Sequence, residues 1–326
     1  RHLNYDSFPS TISYGNNFSV GSDWNTINEV SNSLVSEGYF ECCNLSFISY
    51  QDAQVFTPER TPVSLSNPLD ESQKYLRTTT TTHLLRNLSN NINMGNDFHP
   101  LFEIGISFID LPSKLDPDIP KQTNYLTIAS SDQVTSSDIR LRNINYDIYS
   151  IKNIVKRIVG NNISIELINR PGLHSKQSFT IMSDSVNLGW FGKVSEDTKD
   201  YFNLQYDTYL AEINLDKLSK KDKQLHDYIK ISNFPHVKFD LSFEISNETI
   251  SEDVLKIISS LYPDFENSSY IFDEYFDPVS NNRTIGFRIK LRSYEKTIGD
   301  NDLVNIRSNI IKEISSNFPA ILRDNE

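Results

Sequence analysis

Residues 238–323 switch hydrophobic period repeatedly, and few folds accommodate the resulting order. Residues 238–245 and 284–293 alternate apolar and polar side chains, the two-residue period of half-buried strands, and residues 270–276 and 320–323 read as two further strands. Residues 251–261 and 300–316 instead carry apolar side chains at helical spacing. Strand–helix–strand–strand–helix–strand is the βαββαβ order of a ferredoxin-like fold, with four strands in one sheet and both helices on a single face. Strand parity then decides which side chains stay outside. In the first strand Phe239, Leu241, Phe243 and Ile245 turn toward the helices, leaving Lys238, Asp240, Ser242 and Glu244 on the open face. In the third, Ile285, Phe287, Ile289 and Leu291 go inward, while Thr284, Arg288, Lys290 and Arg292 point out. In the second, Asp273 and Tyr275 share a side, opposite Phe272. The open face thus carries an aromatic ring, an acid, a hydroxyl and a row of cations, an inventory suited to unstacked bases and backbone phosphates. A merely soluble outer face fits the same pattern equally well. Charge segregates too: residues 281–323 hold eight Lys and Arg against four acids, whereas 239–280 hold one Lys against ten acids.

The second constraint lies at residues 67–108. Asn67-Pro68 opens a turn, and Tyr75-Leu76-Arg77-Thr78-Thr79 leads into a helix running to about Met94. Leu84, Leu85, Leu88 and Ile92 share one helical face, Thr81 or Thr82 is available as N-cap, and Gly95 lies just past the end. Phe102, Ile104, Ile106 and Phe108 then alternate, which predicts a strand with one buried face. Around this stretch the pattern predicts helices at 25–36 and 148–159, a short helix after 194, and strands at 40–49, 125–129, 163–168, 177–182, 188–194 and 208–215. That mixture argues for an α+β domain with an antiparallel sheet. Pro112, Pro117 and Pro120 mark a surface connection, and Ser219-Lys220-Lys221-Asp222-Lys223-Gln224 a charged linker.

At 326 residues the chain has room for two domains. Its net charge of −12 argues against indiscriminate nucleic-acid binding but leaves room for a local RNA site. No apolar run approaches the length of a membrane span, and the first residues have neither a basic region nor an apolar signal segment, so a cytoplasmic protein is expected. Residue 1 is Arg, which predicts that the numbered chain begins inside a longer polypeptide. Cys42 and Cys43 are adjacent in an apolar run, without metal-ligand spacing or a base for a nucleophile, and read as two buried thiols. Arg77 reads as an interface or structural ion pair beside Glu71. His83 and His99 read as solvated or capping residues, and Arg170, Pro171 and His174 as a turn.

In this order the runs resemble the C-terminal portion of bacterial-type phenylalanine–tRNA ligase beta subunits. The family's catalytic-like domain carries the Asn-Pro turn, the Leu-Arg-Thr segment, a helix and a strand like Phe102-Glu103-Ile104-Gly105. Asp147-Ile148-Tyr149-Ser150-Ile151-Lys152, Arg170-Pro171-Gly172-Leu173-His174-Ser175 and Leu188-Gly189-Trp190-Phe191-Gly192 are similar to its later motifs. Phe234-Pro235-His236-Val237-Lys238-Phe239-Asp240-Leu241, Phe272-Asp273-Glu274-Tyr275, Lys296-Thr297-Ile298-Gly299-Asp300 and Leu322-Arg323 resemble its closing anticodon-binding domain. The resemblance implies an α+β chain in four parts. Residues 1–15 are the tail of a preceding domain, 16–218 a class II synthetase-like antiparallel sheet domain, 219–228 a linker, and 229–326 a ferredoxin-fold anticodon-binding domain.

Active class II cores hold ATP with two arginines, one lying two residues before the strand glutamate and one closing a late Gly-rich motif. Here Leu101 stands at the first position, and Leu210-Ala211-Glu212-Ile213-Asn214-Leu215 offers neither glycines nor arginine. The resemblance therefore implies a catalytically silent domain with no catalytic or metal-binding residue and no cofactor of its own, although the whole enzyme uses ATP and magnesium. The implied partners are the catalytic alpha subunit and tRNA(Phe), with no DNA and no membrane. Asp273, Tyr275 and Thr284 match the family's anticodon-contacting positions, with Arg288 and Arg292 beside them; Glu274 departs by adding negative charge there. Two other readings stand: the single-chain organellar enzyme, which Leu101 counts against, and a degenerate paralogue serving as an RNA-binding or scaffolding module.

Overall fold

The computed structural model describes residues 22–96, 99–112, 119–132, 146–160, 163–218, 232–246, 249–278 and 282–323. The expectations for residues 1–15 and for the linker at 219–228 lie outside the described residues. Contacts divide the chain into two compact units, Arg1–Lys223 and Gln224–Glu326, each described here by itself.

In the first unit α1 (Ser22–Ser36) leads through Gly38, at φ +86, into β1 (Phe40–Glu41). The strand expected at 40–49 is two short strands in different sheets. β1 runs parallel to β4 (Leu101–Pro112), whereas β2 (Phe47–Ile48) pairs with β3 (Tyr75–Leu76), with α2 (Tyr50–Phe56) between them in sequence. Cys42 is half-buried and Cys43 exposed, so the two are not a buried pair. α3 (Thr81–Asn93) buries Leu84, Leu85 and Leu88, as its spacing predicts. Its N-cap position is Thr80, without a side-chain cap; Thr79 Oγ1 instead accepts from the Thr81 backbone N–H at 3.1 Å.

The main sheet follows the order β1-β4-β5-β9-β8-β7-β6, where β5 is Pro120–Ser131, β6 Ser164–Leu167, β7 Leu173–Ser183, β8 Val186–Val194 and β9 Thr208–Asn214. Apart from the β1–β4 pair its ladders are antiparallel. α4 (Ile148–Val159) packs against β8 and β9. A capping box starts it: Asp147 accepts from the Ser150 backbone N–H, and the Ser150 side chain bonds back to the Asp147 backbone N–H. Ile151, Ile154, Val155 and Val159 are its buried stripe, each contributing roughly 1.5–3 kcal/mol by burial. α5 (Glu196–Tyr201) and α6 (Leu215–Leu218) flank β9 in sequence.

The second unit has the predicted element order. β10 (Val237–Ser246), α7 (Ser251–Leu261), β12 (Tyr270–Asp277), β13 (Asn282–Ser293), α8 (Asp300–Asn317) and β14 (Ala320–Arg323) form the βαββαβ fold, with a short β11 (Phe265–Asn267) added. β14, β10 and β13 lie side by side, and both β11 and β12 pair with the outer edge of β13, all antiparallel. Leu241, Phe243, Ile245, Ile285, Phe287, Ile289 and Leu291 bury themselves together with Val254 and Ile258 of α7 and Ile306, Ile310 and Ile314 of α8. Those strand residues are the inward set that alternation predicts, so the other parity is the open face.

Two candidate sites: a closed sheet face and an open one

Across the first unit's sheet, register aligns Glu103, Thr127, Glu212, Trp190 and Thr180 in one row on five successive strands. All five are buried. The segment from Arg77 to Thr81 crosses this row and bonds Glu103, Thr127 and Glu212. Arg77 Nη1 donates to Glu103 Oε1 at 2.6 Å, and Arg77 Nε to the Ile106 carbonyl at 2.7 Å. Asn44 Nδ2 donates to the other Glu103 oxygen at 2.8 Å. Thr80 Oγ1 bonds Thr127 Oγ1, Thr79 and Thr81 donate to Glu212 Oε2, and Trp190 Nε1 donates to Glu212 Oε1 at 3.2 Å. Gly105 is needed here, because a Cβ would run into the Arg77 guanidinium.

This corrects two expectations. Arg77 is a structural ion pair, but its partner is Glu103; Glu71 pairs with Lys74. β4 does not bury a single apolar face, since Glu103 and Ser107 are buried while Ile106 is exposed. Leu101 lies in the apolar core and offers no cation. Arg77, Thr79 and Thr81 are committed to Glu103 and Glu212, while Arg170 stacks over Trp190 of the same row, its guanidinium carbon 4.6 Å from the ring centroid and its Nε without a partner among the described residues.

His83 is half-buried, and burial, reinforced by the Arg77 charge, pushes its pKa down, so of the solvated or capping roles expected the solvated one does not hold. His99 is exposed and stacks on Phe40 at 4.0 Å. His174 falls within β7, where its Nδ1 accepts from the Lys176 backbone N–H at 3.2 Å.

The second unit's open face is different in kind. Tyr275 is 63% exposed, directly opposite Thr284 across the β12–β13 ladder, and Asp273 is opposite Gly286. These three predicted residues come together at one end of the face. Glu274 points the other way, opposite Ile285, and Arg283 neutralises it at 2.9 Å, so its charge does not face Asp273 and Tyr275. Phe272 departs from the simple alternation. A register shift between Ile271 and Asp273 brings its ring onto the open face, over Gly286 and 4.5 Å from the Arg288 guanidinium carbon.

Arg288 and Arg292 are on the open face as predicted, but neither is free. Arg288 makes a two-bond fork to Asp240, at 2.8 Å each, and those bonds hold the Asp240 carboxyl below its usual pKa. Arg292 reaches the Ser232 carbonyl at 3.2 Å and Glu266 at 3.7 Å. Sequence reasoning missed Phe272 and Tyr270, both exposed, the latter opposite Arg288. An aromatic count over 270–276 was the available signal.

Residues 9–215 match the family model described as phenylalanyl tRNA synthetase beta chain CLM domain, and residues 232–323 match the ferredoxin-fold anticodon binding domain. The chain belongs to the phenylalanyl-tRNA synthetase beta-chain family. A phenylalanine–tRNA ligase beta subunit of Clostridium acetobutylicum is 27% identical over 333 residues, covering 99% of this chain and 41% of that protein. One of Hahella chejuensis is 26% identical, covering 89% of this chain and 36% of its own length. This beta-chain family member thus spans about two fifths of the length of such relatives. No helix among its described residues is long and apolar enough to cross a membrane.

Proposed function

We propose that this chain is a non-catalytic part of a cytoplasmic phenylalanine–tRNA ligase, in which the first unit packs on the catalytic alpha subunit and the open face of the second holds the anticodon region of tRNA(Phe). The observation that carries the reading is the group Tyr275, Asp273 and Thr284, gathered on the sheet face opposite the one on which α7 and α8 pack. An exposed ring accepts a stacked base, while a carboxylate and a hydroxyl read base edges. ATP and magnesium belong to the alpha subunit in this reading, because Leu101 and residues 210–215 supply neither of the two arginines that an active core uses. The α1–β1 pair supports the partner assignment: Trp24 and Phe40 are exposed there, and Phe40 borders a cleft of about 280 Å³ lined also by Leu88, Ile92 and Leu101.

Three measurements test it. The chain alone is expected to give no phenylalanine-dependent ATP–pyrophosphate exchange; exchange by the purified chain sinks the silent-domain assignment. Co-expressed with the alpha subunit of the same genome it is expected to co-purify, and Phe40→Asp to reduce the yield of complex. The chain is expected to bind tRNA(Phe) in preference to the same tRNA with a replaced anticodon, and equal binding of the two removes the anticodon assignment.

A further inference from the structure

The cations of the open face are not equivalent. Three have a carboxylate each: Arg288 has Asp240, Arg292 has Glu266, and Arg323 of β14 has Glu244. The remaining two, Lys238 and Lys290, are directly opposite each other in the β10–β13 ladder. Neither forms an ion pair among the described residues. Lys238 is exposed and Lys290 half-buried. The nearest acid in register, Asp240, feels the Lys238 charge but commits both oxygens to Arg288. Like charges directly opposite on a sheet repel, so this pair opposes folding unless an anion lies between the two ammonium groups.

We propose that Lys238 and Lys290 together hold a backbone phosphate of an unpaired RNA strand lying along the open face. This deepens the RNA-binding reading above and rests on it. The placement is consistent along β13. Lys290 marks the cationic end of the strand and Thr284, with Tyr275 and Asp273, the base-reading end, six residues or roughly 20 Å apart. Between them the Phe272 ring and the Arg288–Asp240 fork form a neutral ledge on which a base stacks. Lys is suited to the role as a mobile point charge, whereas Arg288 and Arg292 are fixed by their forks and carbonyl contacts. Alternation places all four cations on the open face, and register moves the phosphate contact from Arg288 and Arg292 to the two lysines that it leaves unpaired.

The test is the salt dependence of tRNA binding by the full 326-residue chain, followed by fluorescence anisotropy between about 50 and 200 mM KCl. In Lys238→Met/Lys290→Met the slope of log affinity against log salt is expected to become shallower by about 0.7, the value for one released phosphate. The preference for the native anticodon is expected to persist, because phosphate contacts position and do not read sequence. Lys238→Arg/Lys290→Arg is expected to keep the wild-type slope, and Arg292→Met to change it by less than half as much as the double Met variant. Thermal melting of the double Met variant is expected at or above the wild-type temperature, which separates a lost contact from a damaged fold. Wild-type binding with an unchanged slope in the double variant overturns the lysine assignment and leaves the RNA reading standing. Failure of the wild-type chain to bind tRNA near 50 mM KCl overturns both.

Discussion

Arg77 and Glu103 form an ion pair 2.6 Å long whose side chains are only 4% and 2% exposed. A buried pair of this kind contributes little over an apolar replacement of both partners, yet removing one partner leaves an uncompensated charge. Arg77→Met is therefore expected to destabilise the first unit by about 3–5 kcal/mol, with Arg77→Met/Glu103→Leu less damaging than the single change. Both tryptophans, Trp24 and Trp190, lie in this unit, so urea unfolding followed by their fluorescence isolates it. A single variant as stable as wild type contradicts the buried pairing.

His83 supplies a pH dependence in the same unit. Burial and the Arg77 charge depress its pKa below 6.5, against weaker opposing contributions from Glu103, the Phe47 carbonyl and Asp52. A base with a depressed folded pKa is protonated more readily when unfolded, so its contribution is fully present above about pH 6.5 and is lost as pH falls toward the folded value. Wild-type urea midpoints are expected to drop between about pH 7 and pH 5. His83→Gln should flatten that drop, whatever it does to stability at neutral pH. Parallel curves for the two proteins assign the acid sensitivity elsewhere.

How far these features were legible follows from what periodicity measures. The second unit's strands were readable because Phe239 to Ile245 and Ile285 to Leu291 alternate without interruption against an apolar core. β4 was misread because a count of apolar residues does not register Glu103 and Ser107, buried against Arg77 and threonines rather than against hydrocarbon. The register shift at Phe272 follows no glycine or proline in β12, so nothing local announced it. Arg288, Asp240, Lys238 and Lys290 were all visible as open-face charges. Which of them neutralise one another depends on the β10–β13 register, a property of two strands that neither segment encodes alone.

Gly286 tests whether the Phe272 ledge matters. A Cβ at this position would stand 2.9 Å from the Phe272 ring, which sits on a strand paired on one side and can swing outward. Gly286→Val is therefore expected to lift the ring from Arg288 while changing stability by no more than about 1 kcal/mol, since a β-branched residue suits a strand. If a base stacks on this ledge, tRNA affinity falls by roughly 1–3 kcal/mol, whereas an unchanged affinity with a displaced ring excludes it. Affinity and melting temperature measured on the same preparations separate the two.

Tyr275 carries the sharpest consequence of the functional reading. Its ring is exposed, opposite Thr284 and two residues from Asp273, and no residue of α7 or α8 is needed to hold it there. Removing it costs the core nothing, so Tyr275→Ala is expected to leave folding within about 0.5 kcal/mol of wild type. Loss of a stacked base instead costs on the order of 1–3 kcal/mol in tRNA binding. In the enzyme assembled with its alpha subunit, this predicts a raised KM for tRNA and unaltered phenylalanine-dependent ATP–pyrophosphate exchange, because the ring takes no part in adenylate chemistry. Tyr275→Phe should keep most of the affinity if stacking dominates and lose it if the hydroxyl reads a base edge. Equal tRNA kinetics for wild type and Tyr275→Ala would leave the open face without a role in anticodon binding, whatever its exposure.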